Sequence, residues 1–301
     1  MLENVEIVKK IEPFENYNIS TQTLIISTNV NIDCDNFFNN INCVPLSKSP
    51  CKNKNKMIVD EDEKLQDGDI VYSQYKTNFK GTHFKKINPK YFLNSVTIIM
   101  KIEEKFINIK VSNKGKLQIT GCSKYRYSVS ILDFFWKLIR LHMDTLWNFK
   151  EDDSEKFEAI IIPVMCNINF SIGFQINRNL LHDIINHKTE FTSILEPSDG
   201  YVGVNIKIPI KKELMEDILI DKYTISVDEW VVSKTKFIDY IETLSPKEKK
   251  KKLSKSYVNT FLVFYSGKVI MSGGISFINR EEAYKTFMNI IMNNKDSIKN
   301  E

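Results

Sequence analysis

Two short stretches of this chain carry the same phrase. Lys114-Gly-Lys-Leu-Gln-Ile-Thr-Gly-Cys122 and Ser266-Gly-Lys-Val-Ile-Met-Ser-Gly-Gly274 both run x-Gly-Lys, then apolar–x–apolar, then Thr or Ser before Gly. The first glycine supplies the positive φ of a tight hairpin turn, and the alternation after it reads as a strand. An alternating segment precedes each turn, Phe106–Val111 and Thr260–Tyr265. A helical stripe follows each. Ile131, Phe134, Phe135, Leu138 and Leu141 share one face of Tyr127–Leu141, and Tyr284, Phe287, Met288 and Ile291 share one face of Asn279–Met292. Asn279 with Glu282 stands where a capping box would open the second helix. Upstream, Thr23–Ile32 and Glu158–Phe170 read as strands, each followed by a short helix, near 35–41 and 177–185. Cys34 and Cys166 fall at similar points of the two copies. Each copy thus reads strand, short helix, antiparallel strands, long helix. The expected class is α+β, built from two tandem repeats, residues 1–150 and 151–301.

Polar inserts interrupt both copies. Residues 45–87 carry Lys48, Lys52, Lys54 and Lys56 and then the acidic stretch Asp60–Glu63; residues 209–256 carry Trp230 and the run Lys249–Lys252. Such inserts are expected on surface loops. At 42% hydrophobic and 27% charged, the 301 residues suit a folded chain with room for one or two domains. The five cysteines are loosely spaced and the N-terminus is too polar for a signal peptide, so reduced thiols and an intracellular location are expected. Cys34, Cys43 and Cys51 lack the CxxC spacing of a zinc site, and no metal or cofactor is expected. No apolar run reaches the roughly 18–20 residues of a membrane span. No Walker loop, GxSxG or HExxH occurs, and Glu151-Asp-Asp153 sits in a polar linker, so no enzyme is expected. The net charge of +4 is mild, and the abundance of Lys, Asn and Ile fits an AT-rich genome.

Thr260-Phe-Leu-Val-Phe-Tyr-Ser-Gly-Lys-Val-Ile-Met-Ser-Gly-Gly274, with Arg280-Glu-Glu-Ala-Tyr-Lys-Thr-Phe287 beyond it, closely resembles the second repeat of the TATA-binding protein family. Phe264, Ser266, Gly267, Lys268, Gly273, Arg280, Glu281, Glu282, Tyr284 and Phe287 carry the match. Asn88-Pro-Lys-Tyr-Phe92, Ile98–Ile102, Gly115-Lys116 and Thr120-Gly121 are similar to the first repeat, and Glu196-Pro197 before Tyr201–Ile208 resembles the second-repeat stirrup. The resemblance spans about 22–142 and 158–293, without the inserts.

That resemblance implies a saddle-like curved antiparallel sheet with helices on the convex face, and a concave face that binds and bends promoter DNA in the minor groove. Apolar side chains wedged between base steps would kink the duplex, most cheaply at flexible TA steps. Phe264 and Tyr201 would be the second-repeat wedges and Leu262, Ile270 and Ser272 the floor. Lys101, Lys116, Lys207 and Lys268 would meet phosphates, Lys116 pairing with Lys268 and Lys101 with Lys207 as equivalents. In the first repeat, Phe92 would be one wedge, with three residues inserted after it, and Ser112 or Val111 stands at the other. Thr120 would lie on that floor, where Gln118 replaces a valine. The family's central asparagines fall at Leu24 or Ile25, and at Ile160 or Ile161. The implied partners are AT-rich double-stranded DNA, a transcription factor IIB-like protein docking at Glu196, Pro197 and Asp199, and RNA polymerase, with the chain a monomer or weak dimer. A heavily inserted version points to a large DNA virus or a protist, hence the nucleus, a cytoplasmic viral factory or the virion. The alternative is a protein-interaction adapter on the same fold.

Overall fold

The computed structural model of the protein describes residues 13–46, 51–53, 56–58, 65–82, 92–151, 154–195, 203–210, 216–226, 229–274 and 277–300. In chain order, the first half holds β1 (Ile19–Thr28), β2 (Val30–Ile32), α1 (Cys34–Asn40), β3 (Cys51–Asn53), β4 (Lys56–Ile58), β5 (Ile70–Tyr75), β6 (Asn78–Gly81), β7 (Ser95–Ile102), β8 (Lys105–Ser112), β9 (Lys116–Cys122), α2 (Arg126–Ile139) and β10 (Trp147–Phe149). The second half holds β11 (Glu158–Ser171), α3 (Arg178–Lys188), β12 (Thr192–Leu195), β13 (Gly203–Pro209), β14 (Leu219–Ser226), β15 (Glu229–Lys236), α4 (Phe237–Glu242), α5 (Pro246–Leu253), β16 (Val258–Phe264), β17 (Lys268–Gly273), α6 (Phe277–Asn293) and α7 (Lys295–Ile298). The class is α+β. No helix among the described residues is long and apolar enough to cross a membrane.

The chain divides into two compact units. An N-terminal unit comprises Gln22–Ile162 and Ile220–Lys234; a C-terminal unit comprises Met1–Thr21, Pro163–Leu219 and Thr235–Glu301. Within the N-terminal unit the strands run β1-β9-β8-β7-β5-β6, every neighbour antiparallel. Within the C-terminal unit they run β12-β13-β16-β17-β11, also antiparallel. The same connection of elements therefore appears twice, as the repeated phrase requires.

Alternation along the strands buries one face of each sheet. In the N-terminal unit Leu24, Ile26, Ile98, Met100, Ile107, Ile109, Leu117 and Ile119 pack against α1 and α2 through Phe37, Ile131, Leu132 and Phe135. In the C-terminal unit Ile168, Phe170, Val204, Ile206, Phe261, Val263, Val269 and Met271 meet Leu181, Ile185, Tyr284, Phe287 and Ile291 of α3 and α6. Phe261 and Phe287 stack with centroids 4.3 Å apart. Asp33 caps α1 by accepting from Asn36 N at 2.9 Å, and Asn177 caps α3 by accepting from Leu180 N at 3.2 Å, each satisfying a donor the helix leaves free.

Several local expectations are corrected. Helix α2 ends at Ile139, so Leu141 is 82% exposed and lies off the stripe. Helix α6 starts at Phe277, which makes Asn279 a buried residue of its first turn and not its cap. Thr23–Ile32 is two strands, interrupted at Asn29. Cys34 opens a helix whereas Cys166 lies within a strand, opposite Gly273, so the two are not equivalent. The inserts are not merely loops. The first supplies β5 and β6, which extend the sheet beside β7. The second supplies the β14–β15 hairpin and α4 and α5. That hairpin joins the N-terminal unit: β14 pairs with Glu158–Ile161, Trp230 Nε1 donates to Asp133 at 3.2 Å, and Tyr125 Oη donates to Asp221 at 2.6 Å. The lysine run lies on α5, where Lys249 pairs with Glu242.

Candidate nucleic-acid interface

In a strand, residues two apart share a face, and cross-strand partners share it too. The C-terminal unit's register therefore assembles its second face in rows. One row reads Ile194, Asn205, Leu262, Ile270, Asn169 across β12, β13, β16, β17 and β11. The next reads Thr192, Lys207, Thr260, Ser272, Asn167. Phe264 lies opposite Gly203, and Lys268 opposite Ser171. None of these side chains belongs to the buried core of the unit. Ile194 is 42% exposed, Lys207 and Lys268 are exposed, and Leu262, Phe264, Ile270 and Ser272 are half-buried. The strand residues of this face include no carboxylate, and among the described residues neither Lys207 nor Lys268 forms an ion pair.

Five residues expected at a DNA site thus share one face: Lys207, Leu262, Phe264, Ile270 and Ser272; Lys268 begins the strand beside them. Gly203 gives that face its shape, because a Cβ there would meet Leu262 Cδ1 at 2.7 Å. Tyr201, Glu196, Pro197 and Asp199 lie outside the described residues.

The N-terminal unit repeats the plan with different side chains. Gly115 N donates to Ser112 O at 2.9 Å, and Gly267 N donates to Phe264 O at 2.9 Å. The two turns superpose in register, so the counterpart of Phe264 is Ser112; Val111 is buried in the core. The same register matches Lys110 with Leu262, Gln118 with Ile270 and Thr120 with Ser272. It also separates two lysines expected to be equivalent. Lys207 faces Thr260, whose counterpart Asn108 faces Ile99, so Lys101 lies two residues further along its strand. Lys101 Nζ is held 3.3 Å from Asp67, which also accepts from Glu103 N at 2.8 Å. Beside it Leu46, Val71 and Ile99 are buried together, with Leu65, Tyr72 and Phe106 against them. The first insert therefore covers the outer end of this face. Lys116 is half-buried, Gln118 exposed, and Thr120 Oγ1 donates to Asn108 O at 3.5 Å. Phe92 is 59% exposed, with Lys110 Nζ 4.0 Å from its ring centroid.

Sequence reasoning missed the amides. It looked for them at Leu24 or Ile25 and at Ile160 or Ile161, and Leu24 is buried in the core. Ile25 does face outward, opposite Gln118, but its counterpart by register is Asn169, opposite Ile270. Ile161 is buried, with Ala159, in the core of the N-terminal unit. The signal was present in Cys166-Asn-Ile-Asn-Phe170, where alternation buries Cys166, Ile168 and Phe170 and turns Asn167 and Asn169 to the other face.

No protein-family model matches the chain. An uncharacterised protein, 335L, of Invertebrate iridescent virus 6 is 27% identical over 294 residues, which covers 91% of this chain and 82% of that protein. A TATA-box-binding protein-like protein of Acanthamoeba polyphaga mimivirus is 30% identical over 142 residues. The chain is divergently TATA-binding-protein-like. The match spans 41% of this TATA-binding-protein-like chain and about two fifths, 39%, of the mimivirus protein. Among solved structures, Methanococcus jannaschii TBP aligns over 92% of this chain and 98% of its own, at 12% identity and a TM-score of 0.46. Among the described residues no group of three or more His, Cys, Asp or Glu is placed to hold a metal ion. What the TATA-binding-protein-like face offers is apolar surface, amide and hydroxyl groups, and two lysines.

Proposed function

We propose that the protein is a transcription initiation factor that binds and bends double-stranded DNA through the minor groove, chiefly with its C-terminal unit, and that it acts without catalysis. The observation that carries this reading is the second face of that unit, where Leu262, Phe264 and Ile270 stay outside the core beside Lys207 and Lys268 with no carboxylate among the strand residues of that face. Apolar side chains left open to solvent across a sheet favour a covering partner. The minor groove suits this mixture, since it offers few hydrogen-bonding groups and is bound through its width, its phosphates and inserted apolar side chains. Recruitment of a factor IIB-like protein at Glu196–Asp199 and of RNA polymerase completes the proposal, and viral relatives favour action in an infected cell.

Fluorescence anisotropy on A·T-rich and G·C-rich duplexes, titrated across salt, tests it. Binding to the A·T-rich duplex that weakens steeply with salt is expected. No binding at low salt would sink the reading.

The adapter reading has its own observation. Val231 and Val232 on β15 are 54% and 53% exposed, on a strand that among the described residues pairs only with β14. Co-purification with polymerase subunits that survives nuclease treatment would favour it.

A further inference from the structure

The lysine run of the second insert divides between two sides of α5. Lys249 pairs with Glu242 of α4, and Lys252 Nζ lies 5.6 Å and 5.9 Å from the ring centroids of Phe237 and Tyr240. These two lysines hold α5 against α4, whose Phe237, Tyr240 and Ile241 are buried. At 3.6 residues per turn, Lys247, Lys250 and Lys251 fall together on the opposite side of α5, with Ser254 beyond them. All three lysines are exposed, and among the described residues none of them forms an ion pair. The stripe itself contains no carboxylate.

The pair of helices stands away from the face that carries Phe264. The Phe237 ring lies 6.3 Å from that of Tyr257. Tyr257 continues the alternation of Asn259, Phe261 and Val263, which are buried on the helix side of β16, where Asn259 Nδ2 donates to Asn279 O of α6 at 3.3 Å. Leu262 and Phe264 alternate to the other side. Like charges three and four residues apart on a helix repel one another, and opposite charges brought against them relieve that repulsion. We propose that Lys247, Lys250 and Lys251 form a docking surface for an acidic segment of a partner protein, on the side of the sheet opposite to the DNA face. This goes beyond the DNA-binding reading and does not depend on it.

Fluorescein-labelled poly-glutamate is the probe. Its affinity is measured for wild type, for a triple variant of α5 (Lys247→Gln, Lys250→Gln, Lys251→Gln) and for a control triple variant of equal charge (Lys105→Gln, Lys188→Gln, Lys285→Gln). Glutamine keeps the helix propensity of lysine, so α5 stays folded. The α5 variant should bind the probe about tenfold more weakly than the control, the size of three exposed charge pairs lost together. Carbodiimide should cross-link the probe to Lys247, Lys250 or Lys251 in the wild type. Affinity for an A·T-rich duplex should fall no further in the α5 variant than in the control. Equal loss of probe affinity in the two variants, or cross-links at Lys207 and Lys268 instead, overturns the assignment. A duplex affinity lower in the α5 variant than in the control also overturns it, because the stripe would then be a phosphate contact.

Discussion

Single residues decide the repeated turns. Gly115 and Gly267 sit at φ +61° and +76°, and a Cβ on either would come within 2.1 Å of Val30 O or 2.0 Å of Phe174 O. The backbone carbonyl that blocks the side chain is thus equivalent in the two units, which is why the phrase keeps Gly-Lys in both. Gly115→Ala and Gly267→Ala should each cost at least about 2 kcal/mol in urea unfolding, the left-handed conformation and the clash adding. A second residue, Cys34, opens α1 with its thiol buried between Asp33 and Asp35 in sequence, and burial first, with those carboxylates, pushes that thiol up to about 11. A raised thiol pKa favours the neutral form in the fold. Its stabilisation is full below the unfolded value of 9.0 and is lost as pH rises through about 11. At pH 8.5 iodoacetamide should label Cys34 far more slowly in the native protein than in urea; equal rates would contradict the burial. The turn glycines were legible in the sequence because only one residue type meets their φ. Asn167 and Asn169 were not, because an alignment by motif places the family's asparagine at Ile160 or Ile161, whereas the pairing of β11 with β17 places the outward-facing amides further along.

Among the elements, strands and long helices were legible wherever alternation or a stripe ran unbroken, as in β8, β16 and α6. What escaped were segments whose fate depends on a distant partner. Ile70–Tyr75 becomes a strand by pairing with β7, and β14–β15 folds back to join β11 and α2. Trp230 ties that hairpin down, with its ring 6.1 Å from Phe157 and 6.3 Å from Tyr223. Being only half-buried, it should cost about 2–3 kcal/mol when changed to Ala, below the range for a fully buried tryptophan. Thermal unfolding measures this, and an unchanged midpoint would show the hairpin to be dispensable. The turn of the first insert bears on function. Asp67 neutralises Lys101 at the outer end of the N-terminal face. Asp67→Asn should free that lysine, tighten DNA binding at low salt and steepen the slope of log affinity against log salt by about 0.9, one phosphate contact. An unchanged slope would place Lys101 away from the DNA.

At the scale of the whole molecule, the two units share a connection of elements and differ in what their second faces present. The C-terminal unit offers Leu262, Phe264 and Ile270. At the matching places the N-terminal unit offers Lys110, Ser112 and Gln118, and its outer end is covered by Leu46 and Leu65. Two repeats were legible in the sequence, and so was their inequality, since the Ser266–Gly274 phrase is preceded by Phe264 where Lys114–Cys122 is preceded by Ser112. The central claim is that Phe264 acts as a wedge on bent DNA. Energy transfer between the labelled ends of a short A·T-rich duplex measures this most directly. Saturating wild-type protein should shorten the end-to-end distance, and Phe264→Ala should leave the duplex close to its free length. A duplex that stays straight with wild type, or bends equally with Phe264→Ala, would contradict the claim.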